Sequence, residues 1–214
     1  MKGLKMSRGD SLIIGRSKLK AEYRDVFLTA KFFKQKPSIE KMEDWTTWFD
    51  PSNPSGDIQK TIIRFLDEEQ YDYSGKVIEY WFQHQTSGEQ LGPHCDYNHR
   101  IRSFQMDTGE WLHTFKKEQV MSPITIGCYL EITDLVGGEF AICNHSWFDE
   151  PTPLILDEYV KKNIIASQIE LIRPNQDDVL YFEGSKYYHW IEEVKSGERK
   201  SMMINFWPAR YALS

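Results

Sequence analysis

Short apolar runs separated by turn residues fill the sequence from Lys76 onward, and this feature constrains the fold most strongly. The runs are rich in Val, Ile, Tyr, Phe and Trp, which favour strands, and Gly, Pro, Asn and Asp separate them. The predicted strands, about eight in number, cover residues 76–83, 92–97, 124–132, 139–145, 167–174, 178–184, 188–194 and 201–209. Such a series favours a jelly roll of two facing sheets.

The segment before Lys76 has a helical pattern. One helix is predicted over residues 38–49, after Pro37, with Ser38 as its N-cap. A second is predicted over residues 56–71 with Asp57 as cap candidate. Its apolar stripe consists of Ile58, Ile62, Phe65 and Leu66. We therefore expect one domain over residues 1–214, mainly β, with residues 1–75 as mainly helical support for a double-stranded β-helix (jelly-roll) core over residues 76–214.

Charge and cysteine content exclude several classes of function. The 26 Lys and Arg residues against 32 Asp and Glu leave a net charge of −6, which disfavours nucleic acid as a partner. The three cysteines, Cys95, Cys128 and Cys143, match neither a disulfide framework nor a zinc finger, so a reducing cytoplasm is expected. The N-terminal residues predict neither a secretory signal nor a membrane span. The oligomeric state is not predicted.

His94 and Asp96 are separated by one residue at the start of a predicted strand. Residues i and i+2 of a strand point to the same face, so an imidazole and a carboxylate would lie side by side, as in a metal chelate. The alternative is that both are ordinary surface or buried polar residues. A third ligand is needed to decide between the two.

His189 supplies that third candidate at the head of a later predicted strand. Two histidines and one carboxylate on one face of a six-coordinate ion form the facial triad of non-haem Fe(II) oxygenases, which leaves three positions open. The sequence KSGE, residues 195–198, is expected to turn the chain back. His189 and Arg199 would then lie on adjacent strands of one hairpin.

These motifs together resemble the Fe(II)/2-oxoglutarate-dependent oxygenase superfamily, and its prolyl-hydroxylase-like branch in particular. The resemblance covers roughly Lys76 to Trp207. It rests on His94 and Asp96 as the family's H-x-D, on GGEF from Gly137, on His189, and on VKSGERKS, residues 194–201. The resemblance implies Fe(II) held by His94, Asp96 and His189, with 2-oxoglutarate as cosubstrate and dioxygen as oxidant.

The resemblance also implies a cosubstrate pocket. Arg199 suits the far carboxylate of 2-oxoglutarate because a guanidinium donates two parallel hydrogen bonds. Ser201 faces the same way along the strand and adds a hydroxyl donor, and Tyr129 matches a tyrosine that binds the same carboxylate in prolyl-hydroxylase-like members. Taken singly, Arg199 is typical of a solvated strand edge, and Ser201 and Tyr129 are ordinary strand residues.

The activity implied is hydroxylation of an unactivated C–H bond with release of succinate and carbon dioxide. Halogenating relatives lack the carboxylate that Asp96 provides, and the nucleic-acid demethylase branch carries a second arginine where this chain has Asn205. The substrate, a peptidyl proline or a small metabolite, stays open. The alternatives are a cupin-like protein that binds a metal or small acid without turnover, and a zinc hydrolase.

The long segment over residues 98–122 is typical of a lid or binding loop. His99 and His113 are candidate substrate contacts in it. The segment is locally basic on an acidic protein, which is typical either of a solvated face or of a recognition surface.

Overall fold

The structure is a computed structural model of the chain, and it describes residues 12–34, 46–96, 121–146 and 168–209. Two helices are present in the described residues, α1 (Ala21–Phe27) and α2 (Gly56–Glu68). The strands in these ranges are β1 (Ile13–Lys18), β2 (Phe33–Lys34), β3 (Thr47–Phe49), β4 (Lys76–Thr86), β5 (Leu91–His94), β6 (Thr125–Gly137), β7 (Phe140–Ser146), β8 (Ile169–Ile172), β9 (Asp178–Phe182), β10 (Tyr187–Ile191) and β11 (Val194–Pro208). Neither helix has the length and hydropathy needed for a membrane crossing.

The strands form two sheets. The larger sheet has the order β1-β9-β6-β11-β4-β2, with β3 also paired to β4, and the smaller sheet has the order β5-β10-β7-β8. Strands β4 to β11 are the eight predicted from the sequence, and the chain crosses between the two sheets repeatedly as it passes through them. The prediction of a mainly β jelly roll is therefore confirmed.

The two helices cover the outer face of the larger sheet. Ile62, Phe65 and Leu66 of α2 are buried in one apolar cluster with Phe27 of α1. Burying side chains of this size stabilises the fold by about 1.5 to 3 kcal/mol each. The prediction of supporting N-terminal helices is confirmed. Strands β1 to β3 of the same segment pair with core strands. The division of the chain at residue 75 stays a prediction.

The start of α2 differs from the prediction. Ser55, not Asp57, occupies the N-cap position, and its side chain forms no capping hydrogen bond. The main-chain N–H of Ser55 instead donates to Gln59 Oε1 at 2.7 Å. A side chain that reaches back from the first turn in this way satisfies an N–H group at the helix start.

The helix predicted over residues 38–49 is wrong at its C-terminal end, where the structure has β3. Trp48 stacks on Trp207 with ring centroids 6.1 Å apart, and Phe49 packs against Tyr80 at 5.8 Å. Adjacent side chains that face opposite directions require an extended backbone, so these tertiary contacts override the helical pattern. Residues 35–45 lie outside the described ranges.

Side chains of β11 alternate between the two faces of the larger sheet. Met202, Ile204 and Phe206 join the cluster under the helices. The alternate positions, which begin with Arg199 and Ser201, therefore face the interior between the sheets, because strand side chains have a period of two. This interior contains the site described next.

Candidate metal centre

The smaller sheet places two histidines opposite each other. His94 ends β5 and is the cross-strand partner of His189 on β10, with ring centroids 4.4 Å apart. Asp96 follows β5, where its main-chain N–H donates to the carbonyl of Gly184 at 2.9 Å. The three predicted ligands, distant in sequence, are thus brought together by strand pairing and one turn.

The hydrogen bonds of the two histidines fix their tautomers. Nδ1 of His94 lies 2.8 Å from the carbonyl oxygen of Gly92, and Nδ1 of His189 lies 3.2 Å from that of Tyr187. A carbonyl only accepts, so in the neutral form of each ring Nδ1 carries the proton and Nε2 has a lone pair available to a metal. A hydrogen bond from the second ring nitrogen is the usual means of orienting a metal-binding histidine.

The Nε2 atoms of the two histidines lie close to one oxygen of Asp96. Asp96 Oδ1 is 3.8 Å from Nε2 of His94 and 3.8 Å from Nε2 of His189. One ligand atom from each residue lies within 4.8 Å of the others. These gaps are too long for hydrogen bonds. Two imidazole nitrogens and one carboxylate oxygen in this arrangement can hold one divalent ion with further positions open.

Burial favours the neutral form of His189. Its side chain is 4% exposed, whereas that of His94 is 33% exposed. The pKa of His189 is lowered to about 4, mainly by burial and also by the neighbouring His94, against the opposing effects of Asp96 and of the hydrogen bond to Tyr187. A metal binds the neutral imidazole, so this environment keeps His189 ready for a metal near neutral pH.

Arg199 lies on the other sheet, so the predicted hairpin of His189 and Arg199 is wrong. The chain leaves β10 at Ile191 and enters β11 at Val194, and β11 pairs with β4 and β6 of the larger sheet. Gly197, which was predicted to form a turn, lies inside β11 at a register shift, with φ of +75°. A Cβ there would lie 2.3 Å from the carbonyl oxygen of Asp134, which explains why glycine forms this bulge.

Arg199 is buried without a carboxylate to balance its charge. It is 1% exposed, and no ion pair joins it to an acidic residue in the described part of the chain. Its Nη1 donates to the carbonyl of Gly138 at 2.9 Å. Its Nε and the Oγ of buried Ser201 have no hydrogen-bond partner among the described residues. A buried guanidinium in this state is costly unless an anion joins it.

Tyr129 completes this group. Its ring centroid lies 5.3 Å from Cζ of Arg199, and it is the cross-strand partner of Ser201. Burial lowers the pKa of Arg199, and the neighbouring Tyr129 opposes that shift. We call Arg199, Ser201 and Tyr129 the anion pocket. Arg199 Nε and Ser201 Oγ, which lack partners among the described residues, fit a bound carboxylate.

Aromatic side chains connect the anion pocket to the histidines. The ring of His189 is 5.1 Å from that of Phe182 and 5.9 Å from that of Phe140. Phe140 and Phe182 belong to the same apolar cluster as Tyr129. The histidines and the anion pocket therefore share one interior between the two sheets, with aromatic side chains between them.

Sequence reasoning missed two contacts of this site. The hydroxyl of Thr125 lies 3.0 Å from Asp96 Oδ2. Gly184 is packed so closely that a Cβ there would lie 2.7 Å from the same oxygen. The glycine in the turn before His189 was a usable signal, because glycine often marks a close approach. Thr125 looks like any strand threonine.

The predicted lid cannot be placed in this site. Residues 97–120, with His99 and His113, lie outside the described ranges.

Comparisons with known proteins find similarity to solved structures. No family model matches the chain, and no curated protein matches it. Solved structures that are similar to it include a prolyl-4-hydroxylase from Pseudomonas putida, with 13% identity, 90% of this chain and 83% of that chain covered, and a TM-score of 0.49.

Two further structures are similar. A viral collagen prolyl hydroxylase from Paramecium Bursaria Chlorella virus-1, solved with 2OG, is 17% identical, with 92% of this chain and 96% of that chain covered and a TM-score of 0.49. An oxidoreductase of the 2OG-Fe(II) oxygenase family from Burkholderia pseudomallei is 13% identical, with 72% and 57% covered and a TM-score of 0.42. Their names belong to the class that the sequence motifs resemble. Similarity at this level does not transfer an activity, so the side chains of the site must carry the functional conclusion.

Proposed function

We propose that this protein is an Fe(II)- and 2-oxoglutarate-dependent dioxygenase that hydroxylates an unactivated C–H bond and releases succinate and carbon dioxide. The observation that carries the proposal is the combination of two features in one interior. One is the convergence of His94, Asp96 and His189, and the other is the buried Arg199, whose charge no carboxylate of the described ranges balances. A metal site alone would not require the second feature.

The residues present fit both groups. His94, Asp96 and His189 offer two neutral nitrogens and one carboxylate oxygen, the ligand set of a non-haem ferrous site. Arg199 Nε and Ser201 Oγ are buried donors that a carboxylate would satisfy. When bound, iron would activate dioxygen, and the oxidative decarboxylation of 2-oxoglutarate and the oxidation of the substrate C–H bond would supply two electrons each, so that one oxygen atom ends in succinate and the other in the new hydroxyl group.

The chain itself binds, orients and shields these groups. The Nδ1 hydrogen bonds of the histidines hold Nε2 of each ring toward the metal position. The guanidinium of Arg199, held by the Gly138 carbonyl, orients the far end of the cosubstrate. Phe140 and Phe182 exclude water around His189, which limits side reactions.

Several further features belong to this proposal. The substrate is a small molecule or a peptidyl proline, rather than a nucleic acid, in keeping with the net charge of −6. All three cysteines are buried thiols, which supports a reducing compartment such as the cytoplasm.

The test is a spectrum followed by a product assay. Mixed with Fe(II) and 2-oxoglutarate without oxygen, the protein is expected to develop a weak visible charge-transfer band, and to release succinate slowly when air is admitted. His189→Ala is expected to lose both. His84→Ala is the matched control, because His84 pairs with Glu198 away from the candidate centre.

Two outcomes overturn the proposal. If neither signal appears and His189→Ala behaves like the wild type, the protein is a cupin-like binding protein. If zinc supports hydrolysis without oxygen, it is a zinc hydrolase.

A further inference from the structure

The two oxygens of Asp96 have different surroundings. Oδ1 lies 3.8 Å from Nε2 of each histidine, whereas Oδ2 lies 3.0 Å from Thr125 Oγ1. Thr125 Oγ1 also lies 2.7 Å from the position assigned to the amide oxygen Oδ1 of Asn205. Thr125 on β6 and Asn205 on β11 are cross-strand partners, and both are buried. The three side chains form a continuous line from the larger sheet to the metal position.

The direction of these hydrogen bonds follows from counting protons. The hydroxyl of Thr125 has one proton and cannot donate to Asp96 and to an amide oxygen of Asn205 together. An ionised Asp96 only accepts, so the proton of Thr125 must point to Oδ2. The amide atom of Asn205 that faces Thr125 must then be its nitrogen, which a half-turn of the amide provides, because amide nitrogen and oxygen are interchangeable in placement.

We propose that Thr125 and Asn205 are positioning residues that keep Asp96 a ligand through one oxygen only. Asn205 donates to Thr125, Thr125 donates to Oδ2, and Oδ1 alone stays directed at the metal position. This inference rests on the proposed function, because it concerns the same site.

This arrangement matters because it limits the number of metal coordination positions that Asp96 would occupy. Two histidines and one carboxylate oxygen leave three positions of a six-coordinate ion, which a chelating cosubstrate and dioxygen would fill. A carboxylate that rotated to bind through both oxygens would occupy one of those positions. Gly184 supports the same restriction, because its missing side chain lets Oδ2 lie against the turn.

The test uses Co(II) alone, without 2-oxoglutarate or oxygen, so that it does not depend on turnover. Thr125→Val keeps the shape and removes the hydroxyl, and it is expected to weaken Co(II) affinity about 10-fold to 100-fold, as loss of such a partner commonly does. It is also expected to change the intensity of the visible d–d bands. Thr125→Ser, which keeps the hydroxyl, is expected to restore both.

A second variant tests the relay itself. Asn205→Leu is close in shape and cannot donate, so it is expected to change the bands in the same direction. The double variant is expected to behave like Thr125→Val alone, because residues acting in one chain of hydrogen bonds are not additive. Additive effects, or a Thr125→Val protein with wild-type affinity and bands, overturn the inference. If Thr125→Val does not fold, as judged by circular dichroism, Asn205→Leu alone decides by the same two readouts.

His189→Ala separates this inference from the proposed function. If His189→Ala loses Co(II) binding while Thr125→Val does not change it, only the positioning role fails. If His189→Ala also binds Co(II) like the wild type, the metal centre itself is wrong.

Discussion

Arg199 donates from Nη1 to the main-chain carbonyl of Gly138 at 2.9 Å, and this oxygen is neutral. The carbonyl orients the guanidinium but cannot balance its charge. Gly138 has φ of +68° and lies against Leu135 and Val194, so glycine is needed to present the carbonyl in this way. Arg199 is thus held ready for an anion that the described protein groups do not provide.

Arg199→Met is expected to leave the free energy of unfolding unchanged or to raise it, because it removes a buried charge that has no ionic partner in the part of the chain that the structure describes. The same variant is expected to lose its response to 2-oxoglutarate. With Co(II) present, 2-oxoglutarate at 100 times its Kd stabilises the wild type by about 2.7 kcal/mol through mass action. Thermal unfolding with and without 2-oxoglutarate measures both effects. An undiminished response in Arg199→Met would contradict the anion pocket.

Ser201→Ala is expected to weaken 2-oxoglutarate binding about 10-fold to 100-fold, since a hydrogen bond to a charged group contributes about 1.5 to 3 kcal/mol. The metal-free fold should be little affected, because the hydroxyl has no partner there among the described residues. Isothermal titration gives the affinities. Ser196→Ala, at an exposed serine of the same strand, serves as the matched control and should bind like the wild type.

Gly184→Ala is expected to lower metal affinity at least 10-fold, the scale of effect seen when the partners of metal ligands change. The added Cβ would lie 2.5 Å from Thr125 Oγ1 and 2.7 Å from Asp96 Oδ2, so the carboxylate must move. Gly92→Ala is the control, because a Cβ at Gly92 meets nothing within 4 Å. The comparison uses Co(II) titrations of both variants, and equal affinities would remove Gly184 from the site.

The metal-free protein is expected to lose stability between pH 7 and pH 4 because of His189. Its pKa in the folded state is about 4, lowered mainly by burial, whereas an unfolded histidine has a pKa of about 6.5. The unfolded chain therefore binds the extra proton over this range, and stability falls as pH falls, by about 3 kcal/mol in total. Urea unfolding at a series of pH values measures the slope. His189→Leu should flatten it, and an equal slope in both proteins would contradict the shift.

The strands of the core and the pair of His94 and Asp96 could be predicted from the sequence because both depend on local patterns, whereas His189 was added from the chemistry of the triad and the family resemblance. Alternation of apolar residues marks a strand, and the spacing of His94 and Asp96 puts both side chains on one face. The sheet to which each strand belongs could not be predicted from a local pattern. The sequence predicts a hairpin turn at Gly197, whereas its register shift inside β11 depends on contact with Asp134 of another strand.

The remaining parts of the site could not be predicted because they exist only in the folded chain. Thr125 and Asn205 are neighbours because of the register in which β6 pairs with β11. The strand at Thr47–Phe49 depends likewise on the stacking of Trp48 on Trp207. In each case a contact between distant residues, rather than a propensity, decides the outcome.

The placement of His189 and Arg199 on opposite sheets has a consequence for assembly. The three candidate metal ligands belong to the smaller sheet and the residues that follow β5, whereas the anion pocket belongs to the larger sheet, so a partly folded chain with one sheet formed lacks one half of the combined site. A metal and a diacid bound together would connect the smaller sheet to the larger one. Ligand binding should therefore resist separation of the layers, and its energy should appear in global unfolding rather than in local fraying.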